Sequence, residues 1–216
     1  MRTEWIPLSA AALVTGVMAL VLGALLNPLM DDATPAQTLR VANEQGARWL
    51  AMAVMYFLGS VALTLGMPTL LSLFTGRGRS VGLLGVAVFS VGIVGLAGFG
   101  MLLVFYKALL TEGVITNPGA IDSVAREAGL ATMLYVWIGG FLLGILLIAI
   151  ALFRARQTAV WVPILLLVFL AMMPIASRLG QAGSAVQLMA LAAAFTGVAT
   201  RASSPEHRAE LRRLTA

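Results

Sequence analysis

Cysteine is absent from the 216 residues. This excludes disulfides, thiolate nucleophiles, iron–sulfur clusters and cysteine-based zinc sites. The redox compartment stays open, because a chain without thiols is indifferent to it. Histidine occurs once, as His207 in the polar C-terminal tail. Bis-histidine haem ligation and a histidine-centred proton relay within the apolar part of the chain are therefore excluded. Charge is scarce as well, at 11% of residues, against about 25% in an ordinary soluble domain. No Asp, Glu, Lys, Arg or His lies deep in any long apolar run. Charged groups at mid-membrane are costly and usually functional. Their absence argues against proton-coupled transport, voltage sensing and intramembrane acid–base catalysis. Sodium held by carbonyls and hydroxyls stays open, and with it a carrier.

Hydrophobic residues make up 60% of the chain, against roughly 45–50% in soluble domains. Six apolar runs stand out, at Trp5–Met30, Trp49–Phe74, Val81–Tyr106, Leu130–Phe153, Val160–Ala176 and Ala185–Thr200. A membrane-spanning helix needs about 20 apolar residues. The first four runs qualify easily. The last two are near the lower limit, and Gly180, Gly183 and Ser184 blur the sixth. The expectation is an all-α, polytopic transmembrane bundle of six spans over 1–200, with a basic cytoplasmic tail over 201–216. Five spans with a re-entrant segment is the alternative. The first run is too long for the apolar core of a signal peptide and reads as a retained span.

The net charge of +5 reads as topology rather than nucleic-acid binding, because the charges sit at the ends of apolar runs. With the N-terminus cytoplasmic, nine of the 14 basic residues fall inside and six of the nine acids fall outside. The inner turns TGRGRS and RARQT carry two arginines each and no acid. Both termini are expected inside.

A polar phrase occurs twice. TPAQTLRVANEQG at 34–46 and NPGAIDSVAREAG at 117–129 match at Pro35/Pro118, Val41/Val124, Ala42/Ala125, Glu44/Glu127 and Gly46/Gly129. Thr34, Pro35 and Gln37 form a capping box with proline at the first helical position. Arg40–Glu44 and Asp122–Arg126 are i,i+4 pairs. Each phrase predicts a short amphipathic helix on the outer surface, feeding the next span. Hairpins 1–2 and 3–4 would then form a parallel repeat. Such caps either seal the bundle or act as a binding face, and the second reading makes Arg40, Glu44, Arg126 and Glu127 ligand candidates. Glu44, Asp122 and Glu127 are the one acid group that would suit a metal. The sequence itself assigns no metal, no cofactor and no catalytic residue.

Small residues mark close helix packing. Ser9, Ala12, Gly16, Ala19 and Gly23 line the first span, and Gly85, Gly92, Gly95 and Gly98 the third. Gly140 and Gly144 form GxxxG in the fourth, for internal packing or a homodimer; a homodimer or a larger membrane complex is the expected assembly. The first and third spans are expected to sit centrally. Pro68, Pro163 and Pro174 fall within spans and can kink them. Tyr56, Tyr135 and Trp137 follow the two caps, and read either as lining an apolar pocket or as an interfacial belt. The 11 methionines are read as gap-filling or lipid-facing rather than as a copper path.

VANEQG before the second span, LLSLFTGRGR closing it and ALFRARQTAVWVP linking the fourth to the fifth resemble a family of uncharacterised bacterial six-helix membrane proteins. The resemblance implies a membrane fold and a plasma-membrane location, and no residue roles. Function is expected to be non-enzymatic, in binding an apolar or lipid-like ligand or in assembly, with a small-solute transporter as the alternative. Membrane lipids are the expected partners.

Overall fold

The computed structural model describes residues 5–29, 34–114, 126–176 and 179–209. Among these no strand occurs, and seven helices carry the chain. They are α1 (Ile6–Leu26), α2 (Pro35–Glu44), α3 (Gly46–Ser72), α4 (Arg79–Thr111), α5 (Ala128–Ala155), α6 (Trp161–Ala176) and α7 (Gly180–Ala202). A helical turn follows at 205–209. Helices dominate because an apolar run in hydrocarbon must satisfy every backbone N–H and C=O within itself. Hydroxyls obey the same constraint. Ser60, Thr64, Ser90 and Thr196 each donate to the carbonyl four residues back, at 2.8–2.9 Å.

α1 packs against α3 and α7, α3 against α4, α4 against α5, α5 against α6 and α6 against α7. The six long helices therefore close a ring in chain order. α2 lies outside it, on α3 and α4. The interior is filled from all sides. Phe89 of α4 meets Phe141 of α5 at 5.1 Å and Phe195 of α7 at 5.9 Å, and Phe141 meets Phe169 of α6 at 6.3 Å.

Five helices, α1, α3, α4, α5 and α7, are long and apolar enough to cross a membrane, and they mark a multi-pass membrane protein. α6 is shorter. Its 16 residues span ~24 Å against a hydrocarbon core of about 30 Å. The sequence placed the doubt about length on the sixth run as well as the fifth. The structure places it on the fifth alone. Gly180 and Gly183 do not weaken the sixth run but let it start early. Gly180 takes φ +63°, and a Cβ on Gly183 would lie 2.6 Å from the Ala176 carbonyl oxygen. Glycine fits both points, the left-handed φ of Gly180 and the close approach of Gly183 to Ala176, without strain.

Two hairpins are held by backbone-to-backbone approach. Between α1 and α3, a Cβ on Gly16 would lie 2.7 Å from the Leu63 nitrogen, and one on Gly66 would lie 2.7 Å from the Leu13 Cα. Between α4 and α5, a Cβ on Gly144 would lie 2.5 Å from the Phe89 Cα, and one on Gly92 would overlap the Phe141 backbone. GxxxG at 140–144 thus serves internal packing. Gly98 departs from the expected stripe, with open space around it. The third span departs as well. The best apolar window of α1 is 56% buried, but that of α4 only 28%. Both helices pack against two long neighbours, but α4 extends 33 residues against the 21 of α1.

Polar clasps close the ring at the end where α3 finishes. Pro68 removes a helical N–H from α3, and the next amide, Thr69, donates to Ser9 Oγ of α1 at 3.1 Å. Arg201 Nε donates to the Gln157 carbonyl at 2.7 Å, tying the end of α7 to the α5–α6 loop. Ser204 caps the final turn by accepting from the His207 amide at 3.3 Å. His207 itself is buried, so the tail folds against the bundle at that point rather than presenting a polar side chain.

Gly92→Val is expected to cost about 1–3 kcal/mol or more through overpacking. Gly98→Val, at an open position, should stay within about 0.5 kcal/mol of the parent. Thermal unfolding in one detergent compares the two, and equal losses would contradict glycine-mediated contact of α4 with α5.

Candidate ligand cavity

The opposite end of the ring, where α1 ends and α3 begins, is built around the first polar phrase. Thr34 Oγ accepts from the Gln37 amide at 3.3 Å, and Gln37 Oε1 accepts from the Thr34 amide at 2.8 Å. The capping box predicted from sequence is therefore in place and starts α2. Ala42 buries that helix against Trp49 and Met52 of α3 and Leu103 and Tyr106 of α4. The Trp49 Nε1–H donates to the Leu103 carbonyl at 3.0 Å. Arg48 donates to the carbonyls of Leu26 and Leu25 at 3.0 and 3.2 Å. Its positive charge meets the negative end of α1, where carbonyls lack helical partners.

At the same end of the ring lies a cavity of about 340 Å³, partly open, to whose lining α2 contributes no residue. One wall is an aromatic row. Tyr56 of α3 lies 6.5 Å from Phe99 of α4, which stacks at 5.6 Å on Trp137 of α5. Two glycines make room for that row. A Cβ on Gly23 would lie 2.7 Å from the Tyr56 ring, and one on Gly95 would collide with Trp137. Ala24 and Asn27 contribute from α1, and Ser184, Gln187 and Leu188 from α7. Phe141 and Phe169 join the cavity to the phenylalanine cluster at the ring's centre.

None of the 12 lining residues is charged. The wall is mainly apolar with a few hydrogen-bonding groups, the usual build of a small-molecule site at 300–1,000 Å³. Gln187 Nε2 donates to the Phe169 carbonyl at 2.9 Å, which fixes the amide and leaves its oxygen as an acceptor. The Trp137 Nε1–H is buried without a hydrogen-bond partner. Unsatisfied buried donors are rare, and this one lies in a residue of the cavity wall.

Of the residues singled out from sequence, Tyr56 and Trp137 line the cavity. Tyr135 does not. It is 77% exposed, because two residues along a helix turn a side chain by about 200° from Trp137. Arg40 and Glu44 form an exposed ion pair at 3.8 Å on α2. Arg126 is exposed, and Glu127 caps α5 by accepting from the Leu130 amide at 3.0 Å. None of these four residues touches the cavity. Asp122 and most of the second phrase lie outside the described residues. Asn27, Phe169, Met173, Ser184 and Gln187 were missed. A glutamine within an apolar run was the available signal for Gln187.

No family model, curated protein or solved structure matches the chain.

The backbone amides of Leu130 and Gly129 hold the Glu127 carboxyl below the usual glutamate range. A lowered folded-state pKa stabilises the cap fully above the ordinary value near 4.3, and that contribution is lost as pH falls through the folded value. Amide protection at Leu130, corrected for intrinsic exchange, is expected to fall on acidification in the parent. Glu127→Gln should flatten that dependence, and an unchanged profile would remove the carboxylate from the cap.

Proposed function

We propose that this chain is a non-enzymatic, six-span membrane protein that binds an apolar or lipid-like ligand in the cavity between α1, α3, α5, α6 and α7. The uncharged, aromatic-walled cavity between the helices carries this reading. An uncharged wall strips little hydration from an apolar ligand and offers no compensation to an ionic one. Both termini are read as cytoplasmic, with the cavity towards the outer leaflet, on the distribution of arginines and acids. The bilayer is read as a bacterial plasma membrane, on the Ala-, Arg- and Gly-rich composition. A small-solute carrier is the second reading, because the cavity ends on Phe141 and Phe169, which with the adjoining Phe89 and Phe195 would serve as a gate.

Ligand binding is tested by native mass spectrometry of gently solubilised protein. A reproducible extra mass, lost in Ser184→Phe while the variant unfolds at the parental temperature, is the expected result. A bare chain that also fails to take up added monooleoylglycerol would overturn ligand binding. Solute flux in reconstituted vesicles that Ser184→Phe blocks would favour the carrier.

The span count is tested by labelling single cysteines with an impermeant maleimide, the parent having none. Ala159→Cys and Glu206→Cys should react from the same side if α6 and α7 both cross. Opposite sides would make α6 re-entrant.

A further inference from the structure

The ring's other end carries charge that the cavity does not use. Gly78, in the turn before α4, takes φ +82°. A Cβ there would lie 2.9 Å from the Ala151 carbonyl oxygen and 3.2 Å from the Arg154 Cβ. The α3–α4 turn is thus seated on the end of α5, although some 75 residues of chain separate them. Arg77 and Arg79 flank Gly78, and Arg154 and Arg156 close α5. All four are exposed. Among the described residues the ion pairs are Arg40–Glu44 and Arg201–Glu206, and none involves these four arginines.

Two further features of the same spot favour an anion. α4 begins at Gly78 with no side-chain cap; the Arg79 amide donates to the Gly76 carbonyl at 3.2 Å, and the rest of the first turn lies at the positive end of the helix dipole. Arg156 is the only non-glycine residue with positive φ among the described residues, at +50°. It is the C-cap of α5, where a left-handed residue commonly ends a helix, and an arginine in place of the usual glycine sets a charge there.

We infer that the α3–α4 turn and the end of α5 together bind the phosphate of an anionic phospholipid headgroup. Guanidinium groups pair with phosphate oxygens in bidentate fashion, and the uncapped α4 amides add donors to the same oxygens. Basic pockets between transmembrane helices take anionic headgroups by this chemistry. A phospholipid rather than a soluble phosphate is the occupant, because the cluster lies at the end of two membrane-spanning helices, at headgroup depth. The inference rests on the membrane reading and is independent of the cavity ligand.

The test titrates delipidated protein in mixed micelles with phosphatidylglycerol or phosphatidylcholine and counts bound lipid by native mass spectrometry. Phosphatidylglycerol is expected to bind in preference. Arg156→Gly removes one charge while suiting the left-handed backbone, so it should weaken phosphatidylglycerol about fivefold without lowering the unfolding temperature. Arg77→Gln with Arg79→Gln should weaken it further, and Arg40→Gln at the opposite end should change nothing. Equal binding of both lipids, or equal losses in Arg156→Gly and Arg40→Gln, would overturn the site. Inorganic phosphate that displaces the lipid at millimolar concentration would overturn the phospholipid as occupant. Failure of the chain to insert into vesicles would instead sink the membrane reading on which the site rests.

Discussion

In hydrocarbon no hydrophobic force draws one helix to another, because lipid tails are as apolar as leucine. Association depends on how closely two backbones approach, and most of this structure follows from that. Gly16 and Gly66 bring α3 onto α1, and Gly92 and Gly144 join α4 to α5. Each hairpin uses glycine on both of its helices, a shared device for the two halves of the proposed repeat. Gly100 of α4 likewise approaches the α3 backbone, and Gly197 of α7 admits Trp161 and Val162 of α6; the ring's centre is filled by phenylalanines from four helices.

Close approach at one level leaves space at another. Gly23 and Gly95 admit the rings of Tyr56 and Trp137, and those rings line the cavity with Phe141 and Phe169. The cavity therefore follows from the same packing rule as the hairpins. α2 covers this end because an amphipathic helix buries Ala42 while leaving Arg40 and Glu44 in solvent. Arg48 and Trp49 secure the junction by hydrogen bonds to main-chain carbonyls of α1 and α4. The two ends of the ring are thus specialised differently. One carries α2 and an uncharged, partly open cavity, and the other is basic and built from tight turns.

Much of the fold was legible in the chain. Apolar runs bounded by charge place all six long helices, because backbone hydrogen bonding in lipid leaves few alternatives. The capping box at Thr34 and Gln37 was legible too, since a cap is a local interaction among four residues. The length of the sixth run was misjudged, because Gly183 reads as a helix breaker until the Ala176 carbonyl is seen against it. Tyr135 and Trp137 look equivalent in sequence, but helix rotation sends one outward and the other to the cavity.

Composition by itself determined the membrane class, the excluded chemistries and the helical secondary structure. Each depends on which atoms the chain contains and on the solvent they face. Tertiary structure decided which glycines meet which backbones, that the helices close a ring in chain order, and that residues from five helices enclose one space. It also brought Gly78 to Arg154, which no local pattern relates. Those outcomes depend on distances between segments far apart in the chain. Such distances are set by mutual packing of all six helices at once, and no window of sequence contains them.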